Sequence, residues 1–281
     1  MNILDKIVAN KKKEVERAKQ QVSIHALEQR PFFSRKSISI KSLLQQANQP
    51  AIISEFKRRS PSKGIINAQV TPAEVTRGYV SAGAAALSVL TDQDFFGGNF
   101  DDFLQAREAN PVTPMLRKDF IVDRYQLWEA KAIGADFVLL IAACLTPAEV
   151  REFSQLAHQL GMEVLLEVHD EDELQQTLCD TVDIVGVNNR NLKNFVTDID
   201  VSLKLSEYIP DSFVKISESG LKNAETLWKL YEDGYKGFLI GETFMKTDSP
   251  ASALTKLQDE IVRLRNYDSQ QVGSPVSPGQ S

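Results

Sequence analysis

FVLLIAACLTPAEVREFSQLAHQLGMEVLLEV, residues 137–168, contains one complete β-α-β unit, and its reading decides the fold class. Its two ends, 137–142 and 163–168, are nearly continuous apolar runs, the pattern of strands covered on both faces of a parallel sheet. Between them the spacing becomes helical. Thr146 is placed to cap the helix, Pro147 suits its first turn, and Gly161 stops a helix predicted over Pro147–Leu160.

The same theme recurs on either side. Runs at 52–56 (IISEF), 86–91 (ALSVLT), 114–118 (PMLRK), 184–188 (IVGVN), 213–217 (FVKIS) and 237–241 (GFLIG) bring the predicted strands to eight. A further helix is predicted over Ala224–Asp233, with Leu227, Trp228, Leu230 and Tyr231 as its apolar face and Gly234 as its stop. Eight β-α units predict an α/β fold of the (β/α)8 TIM-barrel type. A doubly wound open sheet is the competitor, but no GxGxxG or GxxxxGK[ST] follows the first strand to favour it. Residues 1–50 read as an N-terminal helical extension: an amphipathic start through Gln20, then Ser23–Gln29 and Ser42–Ala47. The barrel is assigned to 51–266, and the polar, Gly- and Pro-broken 267–281 to a disordered tail. Because the extension is not needed to complete eight strands, it is expected to cover the barrel rim and to be dispensable for folding.

A chain of 281 residues fits one such barrel, and 42% hydrophobic with 25% charged residues excludes a disordered, collagen-like or disulfide-scaffolded protein. The net charge of −6 leaves no basic field for nucleic acid or an anionic membrane surface. There is no signal-peptide pattern and no run long enough to span a bilayer. Cys144 and Cys179 lack CxxC spacing and read as reduced thiols, so a cytoplasmic protein is expected. Any bound anion must be held by local geometry.

The informative residues are charges at strand ends. The period of two along Ile52–Lys57 puts Ile53, Glu55 and Lys57 on one face, and Ile52 and Phe56 on the other, toward the helices. Lys118 ends the third strand, Glu167 the fifth, and Asn188 with Arg190 the sixth. In a barrel these meet at the C-terminal rim, where active sites of this fold are built. Buried ions cost several kcal/mol unless paired, so stability alone does not choose them. Lys57, Lys118 and Arg190 against Glu55 and Glu167 predict a slightly positive pocket suited to an anionic substrate and proton transfer. Ser219 and Gly220 after the seventh strand, with Gly241 and Glu242 after the eighth, occupy the loops that bind phosphate in phosphosugar barrels. A Cβ at either glycine is expected to push the phosphate away. His25, His158 and His169 show no metal-ligand spacing, and His169 reads as a surface or capping residue.

The strings IISEFKRRSPSKG (52–64), PMLRKDFIVDRYQ (114–126), LLEVH (165–169), VGVNNRNL (185–192), SESG (217–220) and LIGETFM (239–245) together resemble the indole-3-glycerol phosphate synthase family over all but the tail. The resemblance implies a carboxy-lyase of tryptophan biosynthesis. It would close the ring of 1-(2-carboxyphenylamino)-1-deoxyribulose 5-phosphate to indole-3-glycerol phosphate, with loss of carbon dioxide and water. It implies no metal and no organic cofactor. Lys118 takes the role of proton donor to the ketone and Glu167 that of base for the ring-nitrogen proton. Lys57 either pairs with the substrate carboxylate or acts as a second acid. Glu55 orients the lysines, Asn188 bonds a reacting hydroxyl and Arg190 holds the anthranilate carboxylate. Ser60 lines the first loop, Phe96 and Phe120 pack on the aromatic ring, and Ser219, Gly220 and Gly241 bind phosphate. Glu242 departs from the Ser of some members, and is expected to give only its backbone N–H and to turn its side chain away. The partner is a small phosphorylated anthranilate–sugar, with neither nucleic acid nor membrane. A monofunctional monomer is expected, with at most weak association with other tryptophan-pathway enzymes. The alternatives are another phosphosugar barrel, such as phosphoribosylanthranilate isomerase, and a non-catalytic phosphate-binding barrel.

Overall fold

The computed structural model describes residues 3–67, 69–191 and 196–272, with side chains through Tyr267. Eight parallel strands close into a barrel: β1 Ala51–Phe56, β2 Ala86–Leu90, β3 Met115–Lys118, β4 Phe137–Ile141, β5 Glu163–Val168, β6 Ile184–Asn188, β7 Val214–Glu218 and β8 Tyr235–Ile240. Each pairs with its neighbour in sequence, and β1 closes against β8. The alternation along β1 is as the sequence predicts. Ile53 joins the inner cluster with Leu116, Leu139, Leu165 and Ile216. Ile52 and Phe56 pack outward with helix residues such as Tyr79 and Leu254.

The helix predicted after β4 spans Pro147–Gln159 and carries a full capping box, with Thr146 and Glu149 exchanging bonds. The helix after β7 spans Ala224–Glu232, capped by Asn223. The fifth and sixth strands match their expected limits, the first four differ by one residue at one end, and the last two depart further. The seventh is shifted by one residue and ends on Glu218, and the eighth begins at Tyr235, with a register irregularity between Tyr235 and Gly237. The final helix runs Pro250–Val272, past the Tyr267 boundary expected from composition. Residues 273–281 of that expected tail lie outside the described residues.

The extension forms three helices: α1 Ile3–Gln21, α2 Ile24–Glu28 and α3 Ile40–Gln45. Ile3, Leu4 and Ile7 of α1 reach the cavity at the C-terminal mouth. Lys11 is buried there, 2.9 Å from Asp92 and 3.1 Å from Asp119, which follow β2 and β3. The opposite end of the extension does something the sequence did not suggest. Ile40 and Leu44 of α3 are completely buried against Ala51, Ala86, Phe137, Ile184 and Val214, the first residues of five strands. Thus α3 closes the floor of the barrel, and at about 1.5–3 kcal/mol per fully buried aliphatic chain its loss is expected to cost stability, against the expectation that the extension is dispensable. No helix among the described residues is long and apolar enough to cross a membrane.

Candidate active site

All the residues singled out from sequence line one cavity of about 570 Å³ at the C-terminal mouth. Glu55, Lys118, Glu167 and Asn188 project from β1, β3, β5 and β6, and Lys57 from just past β1. Ser60, Phe96 and Phe120 come from the loops above, with the two phenyl centroids 5.8 Å apart. Ser219, Gly220, Gly241 and Glu242 line the same cavity, as do Lys222 and Lys246.

At the centre, Lys118 Nζ lies 2.5 Å from Glu218 Oε2 and 3.2 Å from Glu167 Oε2. Burial opposes charge on this lysine, but Glu218, Glu167 and Glu55 outweigh it and hold its pKa well above the ordinary value. Burial also pushes the Glu167 carboxyl up. Lys118, His169 and Asn188 reverse that and keep it strongly ionised. For Glu218 burial wins over Lys118, so its pKa is raised. Lys118 favours the ionised form of both acids, prevailing over burial at Glu167 and yielding to it at Glu218. Asn188 Nδ2 donates to Glu167 Oε1 at 3.1 Å, and Lys57 Nζ pairs with Glu55 Oε1 at 2.6 Å.

Glu218 is the principal residue that the sequence reading missed. It is 2% exposed, and its Oε1 is buried with no hydrogen-bond partner. A Cβ on Gly186 would stand 2.5 Å from that oxygen, so the glycine leaves room for the carboxylate. That oxygen is packed in the barrel wall beside Gly186, near Leu165 and Ile216, while Oε2 faces Lys118. With Glu218, Asp119 and Glu242 the lining carries five carboxylates against the six cations Lys57, Lys63, Lys118, Arg190, Lys222 and Lys246, so the slight positive excess expected from sequence is kept.

Arg190 is not free. Its NH2 lies 3.3 Å from Glu242 Oε2, its NH1 bonds Ser62 Oγ at 3.3 Å, and Lys63 approaches Glu242 at 3.6 Å. Glu242 therefore turns its side chain to these two cations instead of leaving the site. Ser219 and Gly220 have φ of 69° and 75°, a left-handed pair that bends the chain sharply after β7. Gly241 is close-packed for a reason other than phosphate approach: a Cβ there would overlap Glu55 Oε1.

The family model of indole-3-glycerol phosphate synthase matches residues 4–257. The chain belongs to the indole-3-glycerol phosphate synthase family. An indole-3-glycerol phosphate synthase of Bacteroides thetaiotaomicron is 47% identical over 253 residues, 90% of this chain and 96% of its own. That of Polaromonas naphthalenivorans is 40% identical over 262 residues, 92% and 99% of the two chains. Among solved structures, 3-hexulose-6-phosphate synthase from Salmonella typhimurium superposes with a TM-score of 0.61 at 12% identity, covering 76% of this chain and 99% of that one. Thiamine phosphate pyrophosphorylase from Pyrococcus furiosus gives 0.59 at 13%, with 80% and 99% covered. At such identities these two show the barrel alone.

Membership in the indole-3-glycerol phosphate synthase family makes the chain a carboxy-lyase of tryptophan biosynthesis. Among the described residues no group of three or more His, Cys, Asp or Glu is arranged to hold a metal ion. His158 pairs with Asp183 at 2.7 Å, and His25 is exposed. His169 departs from its expected surface role: its side chain is 11% exposed and lies between Glu167 and Glu173.

Proposed function

We propose that the ring closure of the indole-3-glycerol phosphate synthase family is carried out here by Lys118 and the two carboxylates that hold it. The carrying observation is Lys118 Nζ between Glu218 and Glu167 at the centre of the mouth. The substrate is 1-(2-carboxyphenylamino)-1-deoxyribulose 5-phosphate. Its aryl carbon attacks the ketone while Lys118 protonates the ketone oxygen, and carbon dioxide leaves from the same aryl carbon. Once Lys118 has given up its proton, the charge that kept Glu167 ionised is gone, and Glu167 becomes a better base. Glu167 then takes the ring-nitrogen proton, and the hydroxyl departs as water on a proton given by a second acid, for which Lys57 stands in the cavity. Glu218 positions Lys118, and Asn188 holds a substrate hydroxyl.

Arg190 exchanges Glu242 for the anthranilate carboxylate, and Phe96 with Phe120 covers the aromatic ring. The phosphate is assigned to the Ser219–Gly220 and Gly241–Glu242 backbone, with Lys222 and Lys246 lining the same cavity. Glu55 keeps Lys57 in the site. The proposal includes a monomer, since one chain completes the cavity, and a cytoplasmic setting, which suits two free cysteines. The deciding experiment supplies the carboxyphenylamino substrate and follows indole fluorescence. Tight binding of the substrate without product would sink the catalytic reading.

A further inference from the structure

His169 lies two residues beyond Glu167, and its ring sits where two carboxylates converge. Nδ1 is 3.0 Å from Glu173 Oε2, and the same oxygen accepts the His169 backbone N–H at 2.8 Å. Nε2 faces Glu167 Oε1 at 3.4 Å, an ion-pair contact without hydrogen-bond alignment. Glu173 is itself fixed in the first turn of the helix Glu171–Thr177, its N–H bonded to the capping Asp170 at 2.9 Å. Glu167 is thus held from two sides, by Lys118 on Oε2 and by His169 toward Oε1.

We propose that His169 is a positioning residue: an imidazolium clamped by Glu173 that orients Glu167 and keeps it ionised while Lys118 changes its protonation state. This rests on the reading of Glu167 as the base. When Lys118 donates its proton, Glu167 loses its nearer cation. Without a second one it would recapture a proton before the ring nitrogen releases its own. His169 takes no part in the transfers, so its charge persists through the cycle and spans that interval.

The groups around the ring are consistent with a permanent cation. Glu167 faces it from β5 and Glu173 from the following helix. The Cys144 thiol, after β4, shares these carboxylates as neighbours; burial and their charges push it up to about 12, so it stays neutral. Across Glu167 stand Lys118 from β3, the neutral Asn188 amide from β6, and Glu218 from β7. Burial opposes charge on the imidazole, yet Glu167 and Glu173 outweigh it and push His169 up to about 10.

The test is the pH profile of kcat, which reports groups of the enzyme–substrate complex. Full-length wild type, His169→Gln, Glu173→Gln and Glu167→Gln are compared, with circular dichroism to check folding. Loss of an opposite charge at this range is worth about one pKa unit or more. The acid limb of His169→Gln is expected to move up by about that amount, with turnover recovering at higher pH and KM little changed. Glu173→Gln should move it the same way by less, and it carries the test if His169→Gln fails to fold. An unmoved acid limb, or a loss of kcat equal at every pH, overturns the clamp. Glu167→Gln separates the two readings. If it keeps turnover, the base assignment falls. If it loses turnover while the His169→Gln limb stays in place, only the clamp falls.

Discussion

Lys11 Nζ lies 3.1 Å from Asp119 Oδ1, and Asp119 is the residue that follows Lys118 in the chain. The same ammonium is 2.9 Å from Asp92, whose other oxygen accepts the N–H groups of Phe95 and Phe96. One buried lysine of α1 therefore fixes both the loop that carries Phe96 and the strand end that carries Lys118. Burial disfavours its charge, but Asp119 and Asp92 prevail and raise its pKa. Replacing one partner of a buried pair leaves an uncompensated charge, at about 3–5 kcal/mol. Lys11→Met should lower the unfolding free energy by that order and raise KM through the misplaced Phe96. Calorimetry with initial-rate kinetics checks both.

The pH dependence of that loss follows from Asp119. Burial pushes its carboxyl up, but Lys11 and Arg117 outweigh it and leave the folded pKa depressed. Its stabilisation is therefore present above the unfolded value of about 3.9 and vanishes as pH falls through the folded one. The Tm difference between wild type and Lys11→Met should be widest near neutrality and narrow in acid. A gap that persists unchanged into strong acid would remove ion pairing as its cause.

The two ends of the extension make separable demands. Deleting residues 1–22 removes α1 and its contacts at the mouth but leaves α3 in the floor. That protein should fold, with a lower Tm and strongly weakened turnover. Deleting residues 1–45 also uncovers the first residues of five strands, and should give a protein that aggregates or unfolds cooperatively only at much lower temperature. Circular dichroism melts of the two truncations decide the matter. Equal melts would mean that Ile40 and Leu44 do not act as a floor.

Most of the barrel was legible because a period of two divides each strand into an inner and an outer face, and Ile53, Glu55 and Lys57 obey it. Glu218 was missed by one residue of register. Phe213 is apolar and resembles a strand start, which leaves Glu218 to the loop, whereas pairing of Asn188 with Glu218 extends β7. Lys11 sits in the run Lys11–Lys13 and looks like part of a solvated face, since its partners lie far along the chain. Nor does periodicity say which end of a barrel an amphipathic helix will cover, so the floor role of α3 could not be read. His169 acquires Glu173 only because the chain turns into a new helix at Asp170.

Lys118→Ala removes the proposed donor to the ketone, and general acid catalysis is worth about 10²–10⁴-fold. kcat should fall by that range while product affinity changes little. A variant that keeps more than about half the wild-type kcat would exclude Lys118 from the acid role. Lys57→Ala resolves the role left open by the sequence. A rise in KM at nearly constant kcat assigns Lys57 to the substrate carboxylate, and an equal fall in kcat and kcat/KM assigns it to the departing hydroxyl.

The sharpest demand falls on Gly241. Phosphate does not react, so its binding should favour ground and transition states about equally and act mainly on KM. From sequence alone a side chain at Gly241 would matter only by displacing phosphate. The structure adds that its Cβ would overlap Glu55 Oε1 and stand 2.9 Å from Glu55 Cβ, and Glu55 holds Lys57 at 2.6 Å. Gly241→Val should therefore raise KM at least tenfold, about 1.4 kcal/mol, and also lower kcat, though by less than Lys118→Ala. Gly220→Ala is the control. Its Cβ would meet Thr197 Cγ2 and come within 4 Å of no atom of Glu55, at a φ of +75°, so it should raise KM while sparing kcat. Inorganic phosphate should inhibit the wild type competitively and both variants much less. If phosphate inhibits all three equally, the anion binds elsewhere. If Gly241→Val spares kcat as Gly220→Ala does, Glu55 does not govern Lys57.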